Sequence, residues 1–221
     1  MALTVYQDTI ESQYSMFPKL TSSSSSTAQP TSASQLTRKS RLVLVRHGKP
    51  EIQGDKPPSL WPLSQSGREA TASLADKLRG FTSKKIKSSP ESKAFGTAEI
   101  IAEKLALEVE IDKDLAEHER HSTSFLPREE FEAKIAELFN NPDQLIFGDE
   151  AADAALDRFK RALDKQHAAA EGDDVMVVTH GTVLSIYVSW RLGVEPFSFW
   201  QELGTPIAVV ISGDEMDFIR A

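Results

Sequence analysis

The chain has 221 residues, 40% of them hydrophobic and 26% charged, which is room for one domain with an extension, or for two very small domains, and enough apolar material for a core. Its formal net charge of −8 argues against nucleic acid or an anionic membrane surface as the main partner. It has no cysteine, which removes disulfides, thiolate metal sites and every cysteine nucleophile.

Residues 1–40 are rich in Ser and Thr, with an unbroken serine run from Ser22 to Ser26, and read as a disordered tail with little to form a core. A transit peptide is the sharper reading. Asp8, Glu11 and the scarcity of Arg count against it, so a cytoplasmic location is expected, with an organelle as the alternative. No secretory leader is recognisable, and no apolar stretch approaches the ~20 residues of a membrane span.

From Arg41 on, strands and helices alternate. Arg41 to Val45 is an apolar run that reads as a buried strand, delivering Arg46, His47 and a turn at Gly48. A proline-rich loop follows. Ser66 and Glu69 then read as a capping box opening a helix that Gly80 ends. A short strand, 85–87, leads to Ser89-Pro90 and a helix over about 91–106. Residues 107–111 alternate like a half-exposed strand. Helices are expected over about 128–139 and 149–170, then a second apolar strand, 174–179, with His180-Gly181 at its end. Helices over about 182–192 and 195–203 and a hairpin spanning 207–219 complete the chain. The alternation predicts a three-layer α/β/α sandwich on a mostly parallel sheet. Ligands bind such sheets beyond the C-terminal strand ends, where both His-Gly pairs fall.

The chain resembles the histidine phosphatase superfamily, also called the phosphoglycerate mutase-like family. The matching pieces are Leu44-Val-Arg-His-Gly48, Pro62-Leu-Ser-Gln-Ser-Gly67, Ser89-Pro90 with Thr97-Ala98-Glu99, Leu115-Ala-Glu117 and Val178-Thr-His-Gly181, spread over about 41–211. The resemblance implies a phosphohistidine intermediate, with His47 the nucleophile, Arg46 a phosphate clamp, His180 the second phosphate-binding histidine and Glu117 the proton donor. Gln53 lies where relatives often place a polar phosphate contact. The family's usual second arginine is replaced by Lys93, which keeps the charge but loses the planar fork. Arg120, just beyond the acid, is a candidate to supply that fork; a surface salt bridge is the competing reading. Residues 122–150 are expected to form a cap, which Phe125, Phe131, Leu138 and Phe139 could line or merely pack. Gly148-Asp-Glu150 and Arg158 resemble a family element behind the site.

Chemically, a phosphomonoester dianion must be screened before a nucleophile can approach. Arg46, Lys93 and a protonated His180 could provide that screen. His47 must be neutral, with its far nitrogen held by an acceptor such as the Gly48 carbonyl. Glu117 could protonate the leaving group. No cofactor and no metal are expected, although Glu117, His118 and His121 could be read as metal ligands. Ile111-Asp112-Lys-Asp114 mimics an aspartyl-nucleophile motif, a weaker rival. The expected partner is a small phosphorylated substrate. The competing class is a phospho-ligand binder without turnover. A mutase is disfavoured because Pro50-Glu-Ile-Gln53 stands where mutase relatives carry Ser-x-Trp-Asn after the Arg-His-Gly.

Overall fold

The computed structural model describes residues 40–123 and 125–221. The tail and transit-peptide readings therefore fall, except at Ser40, outside the described residues. Among those residues, β1 (Leu42–Arg46) is followed by a one-turn helix at Pro58–Leu60, α1 (Gln65–Lys77), β2 (Lys85–Ser88), α2 (Ser92–Leu105) and β3 (Glu108–Ile111). A short turn at Lys113–Leu115 leads to α3 (Arg128–Asn140) and α4 (Ala152–Ala169). Then come β4 (Val175–Thr179), α5 (Gly181–Leu192), α6 (Pro196–Glu202), β5 (Ile207–Ser212) and β6 (Glu215–Arg220).

The six strands form one mixed sheet in the order β3-β2-β4-β1-β5-β6. β3, β2, β4 and β1 run parallel; β5 is antiparallel to β1 and closes the edge with β6 as a hairpin. Alternating side chains feed opposite faces. Leu44, Val175, Val177 and Val209 pack with Phe159, Leu184 and Phe199 of α4, α5 and α6. Val43, Val45, Met176 and Val178 pack with Leu74 and Leu78 of α1 and its C-terminal end and with Ile101 of α2. This is the expected α/β/α sandwich. A third cluster, Ile135, Leu138, Phe147, Ala155 and Ile186, seats α3 against α4 and α5.

One local expectation is corrected. The α1 cap is Ser64, whose side chain accepts from the Gly67 N–H at 3.1 Å; Ser66 already lies inside the helix. Two serines at this spacing offer two caps, and the pairing of Ser64 N–H with the Lys49 carbonyl at 3.0 Å selects the earlier one. No described helix is long and apolar enough to cross a membrane.

Candidate active site

Sheet register brings three strand ends together. Arg46 pairs with Thr179, and the His47 N–H donates to the Thr179 carbonyl at 3.0 Å, so the residues after β1 and β4 lie side by side. The His47 and His180 ring centroids are 5.1 Å apart. β2 delivers Ser89 to the same edge: its N–H donates to the Val178 carbonyl, and its hydroxyl lies 2.7 Å from His180 Nε2.

Close approach crowds both glycines of the His-Gly pairs, Gly48 the more severely. A Cβ on Gly48 would fall 2.6 Å from Thr71 Oγ1, and one on Gly181 would fall 3.0 Å from the Arg46 guanidinium carbon. Neither has positive φ, so the turn itself does not demand glycine at these positions. The Gly48 N–H donates to Thr97 Oγ1 at 2.9 Å, and that hydroxyl donates to the Lys93 carbonyl at 2.7 Å, tying α2 to the His47 turn.

His47 Nδ1 lies 2.8 Å from the Gly48 carbonyl. A carbonyl only accepts, so Nδ1 carries the proton and Nε2 keeps its lone pair. Burial, reinforced by His180, Lys93 and Arg46, pushes the imidazole pKa well below its ordinary value, against the pull of the Gly48 carbonyl. His180 is fully buried, and burial lowers it to about 4, so it is neutral near pH 7. The protonated His180 that the charge screen would use is thus not its resting state in the free protein.

Arg46 donates from Nη1 to the Leu203 carbonyl at 2.6 Å, while its Nε is buried without a hydrogen bond among the described residues. Lys93 is buried in the first turn of α2, not solvated. Its ammonium donates to the Pro58 carbonyl at 2.9 Å and to the Glu91 carboxylate.

Glu91 is the residue that sequence reasoning missed. One of its oxygens engages Lys93; the other accepts the Glu117 N–H at 3.0 Å and lies 3.5 Å from His180 Nε2. Burial pushes this carboxyl up, but His180 and Lys93 outweigh it and hold the pKa at about 2. The available signal was a carboxylate two residues before Lys93, inside the segment expected to bind phosphate.

Glu117 sits at the N-terminus of α5. Its carboxylate accepts N–H groups of His118 and Val183 at 3.0 Å and of Thr182 at 3.2 Å. Burial opposes ionisation, yet Arg120, His180 and these donors keep its pKa far below the usual carboxylate range. Behind it, Arg158 donates to the carbonyls of Asp114, Ala116 and Glu117 and pairs with Glu150. Gly148, at φ +83°, lets the chain pass so close that a Cβ would meet the Glu119 carbonyl at 2.4 Å.

The other expected residues take varied settings. Arg120 stands 4.0 Å from Glu117 and over the Phe131 ring at 4.9 Å, on the wall of the cavity that Glu91, Lys93 and Glu117 also line, and its Nη1 is buried without a hydrogen bond among the described residues. The Gln53 backbone carbonyl accepts from Trp61 Nε1, its side-chain oxygen is buried without a hydrogen bond among the described residues, and its neighbours Ile52 and Gly54 line the cavity. His118 Nε2 lies 2.8 Å from the Glu150 carbonyl instead of joining Glu117, and among the described residues no three His, Asp or Glu side chains are placed to share a metal ion. Asp112 caps the Lys113–Leu115 turn by accepting from the Asp114 N–H, a structural task for the aspartyl-like motif. Glu91, Lys93 and Glu117 form part of the wall of a cavity of about 880 Å3, which Phe125, Phe131 and Phe147 also line. Leu138 and Phe139 pack into the cluster under α3 instead.

The histidine phosphatase superfamily (branch 1) model matches residues 42–213. Phosphoglycerate mutase-like protein 4 of Arabidopsis thaliana is 33% identical over 161 residues, covering 66% of this chain and 69% of that protein. A bifunctional protein of Mycobacterium tuberculosis is 30% identical over 162 residues; the match takes in 69% of this chain but spans only 44% of the relative's length. Among solved structures, a mycobacterial glucosyl-3-phosphoglycerate phosphatase complexed with VO3 superposes with a TM-score of 0.65 at 20% identity, covering 82% of this chain and 97% of that one, a likeness of fold. Together with the strand-end histidines, the family match has one conclusion: the chain belongs to the histidine phosphatase superfamily.

Proposed function

We propose that this chain hydrolyses small phosphomonoesters through a phosphohistidine at His47. The observation that carries the reading is the tautomer of His47, fixed by the Gly48 carbonyl and kept neutral by burial and neighbouring cations. In the first step Nε2 attacks phosphorus and the ester oxygen departs, taking a proton from Glu117. In the second, water attacks the phosphohistidine, gives a proton to the Glu117 carboxylate and releases inorganic phosphate with neutral His47. Arg46 and Lys93 screen the phosphoryl oxygens, and neutral His180 donates one hydrogen bond. A bound dianion beside Glu117 raises its pKa, which is how a carboxyl ionised in the free protein comes to carry the proton. Residues 122–150 serve as the cap over the leaving group.

The relatives' names include both phosphatases and mutases. Hydrolysis is the preferred reading here because Pro50-Glu-Ile-Gln53 replaces the mutase signature after Arg46-His47-Gly48. The Glu91–Lys93 pair favours a second reading, a phosphate binder of low turnover, since Glu91 offsets a cation that phosphate would use.

The test is alkaline quenching during turnover of a radiolabelled phosphomonoester. The label should sit on His47, survive alkali, be lost in acid and vanish with turnover in His47→Ala. Full turnover in that variant would overturn the reading. Phosphate binding with neither label nor turnover would establish the binder.

A further inference from the structure

We propose that this site takes phosphomonoesters whose alcohol part is an apolar chain or ring, not a sugar or other polyol. The inference rests on the phosphate site proposed above and concerns the cavity whose wall includes Glu91, Lys93 and Glu117.

Three of the large hydrophobic side chains that the described surface exposes stand at this one cavity: Ile52 is 64% exposed, Leu60 55% and Phe125 70%. Apolar groups left in water singly need no explanation, but several converging on one concavity mark a binding surface. Trp61 and Phe131 extend the same wall inward, with the Trp61 and Phe125 rings 6.0 Å apart. The wall continues to Lys93 and Glu117, so a substrate phosphate at the strand ends would send its alcohol part along it.

The polar inventory of the wall points the same way. A polyol needs donors and acceptors placed against each hydroxyl. Among the described lining residues, Ser59 and Thr123 are the only hydroxyl or amide side chains. The remaining polar side-chain groups there are charged groups, histidines and the Trp61 indole N–H, of which Lys93, Glu91, Glu117 and Trp61 already bond to one another or to backbone. Stripping a sugar of water against Leu60, Trp61 and Phe125 would leave hydroxyls unpaired, whereas an alkyl or aryl group gains by leaving water. The volume, about 880 Å3, is that of a small-molecule site.

The experiment measures binding of ethyl-, butyl-, hexyl- and octylphosphonate to the full chain by calorimetry, beside a polyol phosphonate of similar size. None can be hydrolysed, so the result does not depend on turnover. Affinity should climb by about two- to fourfold per added methylene, the scale of burying one CH2, with an increasingly negative heat-capacity change. Phe125→Ala and Leu60→Ser, both at exposed positions, should each flatten that climb. A flat series, a preference for the polyol phosphonate, or failure to bind any phosphonate overturns the proposal. Climbing affinity in a protein that never forms phosphohistidine would retain the apolar specificity and refute hydrolysis. Turnover with a flat series would do the reverse.

Discussion

Glu91 Oε1 lies 3.5 Å from His180 Nε2, while the other oxygen of the same carboxylate engages Lys93. A side-chain anion thus sits against two of the groups that an incoming phosphate would use. With its pKa at about 2, this carboxylate is ionised throughout the physiological range. Phosphate must compete with it. Glu91→Gln keeps an oxygen to accept the Glu117 N–H but removes the charge. Inorganic phosphate and vanadate should therefore inhibit this variant about tenfold more tightly, or better, the scale of losing one like charge nearby. Unchanged or weaker inhibition would show that Glu91 does not contest the pocket.

Lys93 and Glu91 should also behave as a unit. Removing the lysine alone deprives phosphate of a donor and leaves a buried carboxylate without its cation. Lys93→Ala should lower kcat/KM by roughly 10–1,000-fold, the order for losing one charged transition-state donor. Adding Glu91→Gln should restore part of that loss, so the two effects do not sum. A double variant as poor as the product of the singles would mean that the pair is not coupled. Lys93→Arg should hold or raise activity, since the fork grips two oxygens where an ammonium grips one.

The buried imidazoles give stability a defined acid limb. His180 titrates near 4 when folded and 6.5 in its ordinary state, so between those values the unfolded chain binds a proton that the folded chain refuses. Stability therefore falls as pH drops from about 6.5 to about 4, by roughly 3 kcal/mol at most from this group. His47 and His118, also lowered by burial, act with the same sign. Glu91 contributes only below its ordinary value of 4.5, so the upper part of the limb reports the histidines. Thermal unfolding across this range should show a falling Tm, with a shallower slope in His180→Asn. A flat Tm down to pH 4.5 would contradict the burial assignment.

The parts legible in the sequence were those carried by period and position. Apolar runs gave β1 and β4, and a strand's end dictates where His47 and His180 project, so the pair could be placed together before any coordinates. The Gly48 carbonyl was legible for the same local reason: it is the neighbouring residue. What depends on side chains reaching across the fold was not. Glu91 looks like any residue entering a helix until Lys93, His180 and the Glu117 N–H converge on it from separate elements. Arg120 was ambiguous in sequence because the ring it lies over, Phe131, is brought to it by α3. Ser66 reads as the cap because Glu69 completes a local box with it, whereas the partner that selects Ser64, the Lys49 carbonyl, lies outside the helix motif.

Arg158 should prove to be a positioning residue for Glu117. It lies behind the 114–117 segment, donating to three of its carbonyls and pairing with Glu150. Arg158→Met would take this donor from those carbonyls and leave the Glu150 carboxylate without its cation in a largely buried setting, at a cost of about 3–5 kcal/mol. Thermal unfolding should register that loss. A merely structural role predicts normal kcat in the fraction that stays folded. Displacement of Glu117 predicts a lower kcat with KM little changed, measured well below the variant's Tm.

Glu117 carries the sharpest test, because its resting state opposes its proposed task. Three backbone N–H groups and Arg120 hold it ionised in the free protein, a good arrangement for a base and a poor one for an acid. Substrate charge must reverse that preference before the ester bond breaks. If it does, the proton matters in proportion to how badly the leaving group needs it. Glu117→Gln keeps an oxygen for the α5 N-terminus but carries no transferable carboxyl proton. It should slow an alkyl phosphate by roughly 100–10,000-fold, the usual range for a general acid. Nitrophenyl phosphate, whose phenolate departs unprotonated, should lose far less in the first step. Burst kinetics separate that step from phosphohistidine hydrolysis, where the missing carboxylate base should slow both substrates alike. Equal losses in the first step would assign Glu117 to capping α5 and leave the proton to come from water.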